Sequence, residues 1–142
     1  SMDYTIEDIP DVLGELLGMN SLGLGGYIES TLPLKLDLEM EMLDSKDNVI
    51  KTEPVKMTVA EGSAEKVSES PVDVWLKLAE GADASDFSKI RMNFKVTSGS
   101  MSGEPVTEES YIKAVLKVKV PGGVTVDLSS LGQSENTDEP QN

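Results

Sequence analysis

From Ile28 to Leu43 the chain alternates apolar and polar side chains. Ile28, Leu32, Leu34, Leu36, Leu38, Met40 and Met42 fall on every second position, broken only by Ser30. Between them stand Glu29, Pro33, Lys35, Asp37, Glu39 and Glu41. Successive side chains of a strand point to opposite faces, so this spacing predicts one long β-strand over 28–43 with an apolar and a charged face. On a helix the same residues would be spread around the whole circumference.

Further strands are expected where the alternation recurs. Val49 to Val59 carries Val55, Met57 and Val59 in alternation, with Pro54 marking an edge or a bulge because it cannot donate to a ladder. Val72, Val74, Leu76 and Leu78 give a strand over 72–78, and Ile90, Met92, Phe94 and Val96 one over 90–96. Ile112 through Val120 gives a strand over 111–120, followed by a Pro121-Gly122-Gly123 turn and a last strand over 123–128. One helix is expected over 8–17, with Asp8 as its cap, Pro10 in its first turn and Gly18 as its stop. Asn20 to Gly26 reads as a flexible connection. The expectation is a mainly β fold: an antiparallel β-sandwich of about six strands preceded by one short N-terminal helix. Domain limits follow: a flexible start over 1–4, one domain over 5–131 and a disordered acidic tail over 132–142. Ser1-Met2 ahead of Asp3 has the look of a cloning remnant, which leaves room for an export signal upstream.

Composition removes whole classes of chemistry. The chain has no cysteine and no histidine. That excludes thiol nucleophiles, Ser-His-Asp triads, disulfides and zinc sites built on thiolate or imidazole. A net charge of −14 repels phosphate backbones and anionic lipid, so neither nucleic acid nor a charged membrane surface is an expected partner. No stretch is long and apolar enough to span a bilayer.

Three groups of residues invite a functional reading. Trp75, the one tryptophan, falls on the polar side of its strand together with Asp73 and Lys77, where an indole marks a contact surface for a protein or a glycan. Tyr27 and Tyr111 are candidates to join it. Asp44, Asp47 and Asn48 supply oxygen atoms suited to calcium, although a hairpin turn uses the same residues and the spacing lacks the order of a helix–loop–helix calcium site. Asp83 and Asp86 raise the same question. Asp37, Glu39 and Glu41 share one strand face at about the separation a carboxylate-pair hydrolase needs, but a solvated sheet face that resists aggregation explains them better. No cofactor is expected, calcium apart.

Three segments also carry a recognisable order. They are the I-P-x-x-[LV] helix at Ile9 to Leu13, the L-P-L-x-L-x-L strand and D-x-x-x-N turn from Leu32 to Asn48, and the hairpin from Tyr111 to Leu128. The pattern resembles β-sandwich domains in secreted or lipid-anchored surface proteins of Bacteroidetes-type bacteria. The resemblance implies a cell-envelope or extracellular location and an accessory or adhesive role. The expected function is a non-enzymatic surface domain that works by protein binding or assembly. The alternatives are a module that binds a glycan, or an apolar molecule against Met40, Met42, Met57 and Met92, and a carboxylate-pair hydrolase.

Overall fold

The structure, a computed structural model, describes residues 2–97 and 110–122, and the backbone of 125–127. In chain order the elements are β1 (Met2–Ile6), α1 (Asp11–Gly18), β2 (Gly23–Ser30), β3 (Leu36–Asp44), β4 (Val49–Val59), β5 (Ser68–Trp75), β6 (Phe87–Val96), β7 (Ile112–Lys119) and β8 (Thr125–Asp127). They form two four-stranded sheets, β1-β6-β3-β4 and β5-β2-β7-β8, and every pairing is antiparallel. The expectation of six strands is therefore too low.

The alternation that marks strands also sorts their faces. In the first sheet Leu36, Leu38, Met40 and Met42 of β3, Ile90, Met92 and Phe94 of β6, and Val55 and Val59 of β4 are buried. In the second sheet Leu24 and Ile28 of β2, Val72 of β5, and Leu116 and Val118 of β7 are buried. Both sets join α1 residues Leu13 and Leu17 in one apolar core. Removing this much apolar surface from water is the main term holding the two sheets together.

The single strand expected over 28–43 is two strands in different sheets. Ile28 closes the apolar face of β2 and Leu36 opens that of β3, while residues 31–35 cross between the sheets. Serine and threonine side chains satisfy the crossing backbone. Leu32 N–H donates to Ser30 Oγ at 3.0 Å, and Tyr111 N–H donates to Thr31 Oγ1 at 2.8 Å. The nearby Ala60 N–H donates to Ser70 Oγ at 2.9 Å. Ser30, Thr31 and Ser70 are buried, and these bonds remove the cost of burying them.

Four further expectations are corrected. Residues 2–4 are not a loose start, because β1 pairs in full with β6 from Met2↔Phe94 to Ile6↔Ile90. The helix begins at Asp11, not residue 8: Asp8 takes a left-handed backbone (φ 62°) and Pro10 occupies the cap position. The helix does end at Gly18, but Gly18 does not make the left-handed turn: Asn20 takes that position (φ 55°) while Ser21 N–H donates to the Leu16 carbonyl at 2.8 Å. Gly23 to Gly26 is not a connection, because those residues pair on both sides within β2. The strands expected over 72–78 and 111–120 are observed as Ser68–Trp75 and Ile112–Lys119. Of the last expected strand only 125–127 lies within the described residues, and the tail over 132–142 lies outside them.

On one long side the sheets are stitched together. At residues 51–54, Pro54 among them, β4 leaves its register with β3, which pairs Met40 with Val55 and Met42 with Ile50. The displaced segment bridges Leu78 through Thr52, Glu53 N–H donates to the Lys77 carbonyl at 2.8 Å, and Ala79 N–H donates to the Lys51 carbonyl at 2.9 Å.

Candidate functional site

The outer face of the second sheet is organised by glycine. Residues paired across an antiparallel ladder share a face, so the register sets up outer rows of Trp75–Gly23–Lys119, Asp73–Gly25–Lys117, Pro71–Tyr27–Val115 and Glu69–Glu29–Lys113. The central strand β2 contributes bare backbone to the first two rows. Trp75 leans over Gly23, where an added Cβ would lie 2.8 Å from the indole. Lys119 runs back across Gly25, where an added Cβ would lie 3.2 Å from its Cδ. The ammonium of Lys119 sits 5.0 Å from the centre of the indole and also pairs with Asp73. The lysine side chain is 22% exposed and Trp75 is 49% exposed, so the lysine is the covered member and the indole keeps an open surface.

Tyr27 lies four residues along β2 from Gly23, about 14 Å away at the rise of an extended strand. Tyr111 stands at the far end, where its hydroxyl donates to Glu29 Oε2 at 2.7 Å. That bond stabilises the protonated phenol, and with the neighbouring Glu29 charge it raises the Tyr111 pKa. Trp75, Tyr27 and Tyr111 therefore form a line along the outer face of β2 and not one cluster.

The other candidate residues are engaged otherwise. Asp44, Asp47 and Asn48 make the β3–β4 turn. Asp44 Oδ1 accepts from the backbone N–H groups of Lys46 and Asn48, each at 2.9 Å, and its Oδ2 accepts from Asn48 Nδ2 at 3.2 Å. The Asn48 N–H above all holds the Asp44 carboxyl below its usual range. Asp47 takes the left-handed position (φ 69°) and accepts from Lys89 Nζ at 2.7 Å. Asp83 accepts from Ser85 N–H at 2.9 Å, and Asp86 accepts from Ser45 N–H at 3.1 Å. Among the described residues no group of three or more Asp, Glu, His or Cys side chains converges to hold a metal ion.

Asp37, Glu39 and Glu41 line the outer face of the first sheet, interleaved with cations. Glu41 accepts from Arg91 Nε at 3.0 Å, and Glu39 stands 3.7 Å from Lys56 Nζ. Met40, Met42 and Met92 are buried inside the common core. What sequence reasoning missed is the support of Trp75. Gly23 and Gly25 read as loop residues, and Lys119 lies far along the chain. Comparison with protein-family models, with curated proteins and with solved structures finds no match. Among the described residues no helix is long and apolar enough to cross a membrane.

Proposed function

We propose that the two sheets form a β-sandwich that serves as a non-enzymatic binding domain of the cell envelope, with the outer face of the second sheet as its contact surface. The observation that carries this reading is the indole of Trp75, held over Gly23 by Lys119 and left open to solvent. Fixing a large aromatic plane before contact lowers the ordering cost of binding. Two further observations support it. Glu39 and Glu41 of the first sheet stand against Lys56 and Arg91, and in the 44–48 turn Asp44 accepts from backbone N–H groups while Asp47 accepts from Lys89. The envelope location rests on the resemblance of the Leu32–Asn48 and Tyr111–Leu128 segments to surface domains.

The test is retention of envelope material from the source cells on the immobilised protein, compared between wild type and Trp75→Ala. The indole is half exposed and outside the core, so the variant keeps its fold. Expected is a loss of retention with an unchanged unfolding midpoint. Equal retention by both proteins would remove this face from the argument.

A further inference from the structure

We infer that the outer face of the second sheet binds an extended, uncharged glycan along β2, with Trp75 as the principal stacking platform. The inference rests on the reading of that face as the contact surface and adds the class of ligand. Three features lead to it.

The first is the rim of the platform. A dry protein–protein contact centres its aromatic anchors in an apolar patch that excludes water. The side chains next to Trp75 are instead Asp73, Lys117 and Lys119. A sugar ring matches that combination, because it offers C–H bonds on one face for an aromatic plane and hydroxyls around its edge for carboxylates and ammonium groups. The second is the line of aromatic residues. Tyr27 stands about 14 Å along β2 from Gly23, the residue under Trp75, with Tyr111 beyond it beside Glu29. Such a line suits a chain laid along the strand more than a compact molecule. The third is charge. On this face Lys113, Lys117 and Lys119 stand against Glu29, Glu69 and Asp73, while the whole chain carries −14. A polyanionic glycan meets no excess of cations here and is repelled by the rest of the molecule.

Trp75 is the sole tryptophan, so its emission reports on this one place. The experiment titrates the full chain with cellohexaose, mannohexaose, laminarihexaose and, as the acidic control, a hexamer of galacturonic acid. Tryptophan emission and calorimetry are the two readouts. At least one neutral hexaose is expected to give a saturable change in both, with no response to the acidic hexamer. In calorimetry Trp75→Ala is expected to weaken that hexaose by about tenfold or more. Tyr27→Ala is expected to weaken the hexaose by about threefold while leaving the matching disaccharide unaffected.

Flat titrations with all three neutral hexaoses overturn the glycan, as does tighter binding of the acidic hexamer. Sugar binding that survives Trp75→Ala overturns the placement. Flat sugar titrations combined with loss of envelope material by Trp75→Ala leave the contact face standing with a protein as its occupant. Flat titrations with unchanged retention remove both readings.

Discussion

The outer face of the first sheet carries long polar side chains on its central strands. Glu41 meets Arg91, Glu39 meets Lys56, and Asp3 meets Asn93, so each long polar side chain stands beside a cross-strand partner. On the second sheet the middle strand offers Gly23 and Gly25, and the neighbours on either side fold inward to lie across it. The difference lies in what the central strand leaves vacant. A filled centre keeps side chains upright and pairs their charges in place. A bare centre lets Trp75 and Lys119 lie across it, with the indole left half exposed. Both faces obey the same alternation, and only the second sheet has an indole lying over its bare strand.

The largest way to break this contrast is to fill the bare strand where the backbone itself is in the way. Gly26 has φ +108°, and an added Cβ would sit 1.9 Å from the Val115 carbonyl oxygen. Neither the strained backbone nor the β7 carbonyl can yield cheaply. Gly26→Ala is expected to cost about 3–5 kcal/mol in urea denaturation. A change below about 1 kcal/mol would show that the second sheet does not depend on a bare centre.

Next in size is the turn that ends the filled sheet. Asp44 has its pKa lowered in the folded chain by the Asn48 and Lys46 N–H groups. Its contribution is therefore present above the ordinary carboxylate value of about 3.9 and is lost as pH falls through the lower folded value. Asp44→Asn is expected to be less stable than wild type at neutral pH, and the two unfolding midpoints should converge in acid below that value. Parallel curves across the whole range would mean that the charge of Asp44 does not matter to the turn.

The smallest effect is expected in the charge lattice itself. Arg91 and Glu41 are each about a third or more exposed, at 34% and 40%. Water screens such a pair, so Arg91→Met and Glu41→Gln are each expected to cost less than about 1 kcal/mol. A double-mutant cycle measures the coupling, and a value well above that range would make the first sheet's outer face a structural element as demanding as Gly26.

The two faces were not equally legible in the sequence. The apolar set of β3 could be read because nothing interrupts its alternation from Leu36 to Met42. The parity of β5 likewise turned Trp75 outward before any partner was known. The strand β2 was hidden because three of its first four residues are glycine, which by itself favours a turn or a loop. Its pairing partners β5 and β7 impose the extended form from both sides, and Ile28 reads as part of the following strand because its parity matches. The change of sheet between Ser30 and Leu36 left only Pro33 as a signal. Lys119, whose ammonium lies against the indole, belongs to β7, a strand that meets Trp75 only through the fold.

The stitched side of the molecule makes its two long margins unequal. Main-chain bonds pass between Lys51 and Glu53 and the segment at 77–79, joining the sheets along the β4–β5 margin, while among the described residues β1 and β8 are the other edge strands of their sheets. The sheets are thus bound like the leaves of a book, with the spine at β4–β5. Amide deuteration is accordingly expected to reach β1 at the fore-edge before the main-chain bonds of the spine.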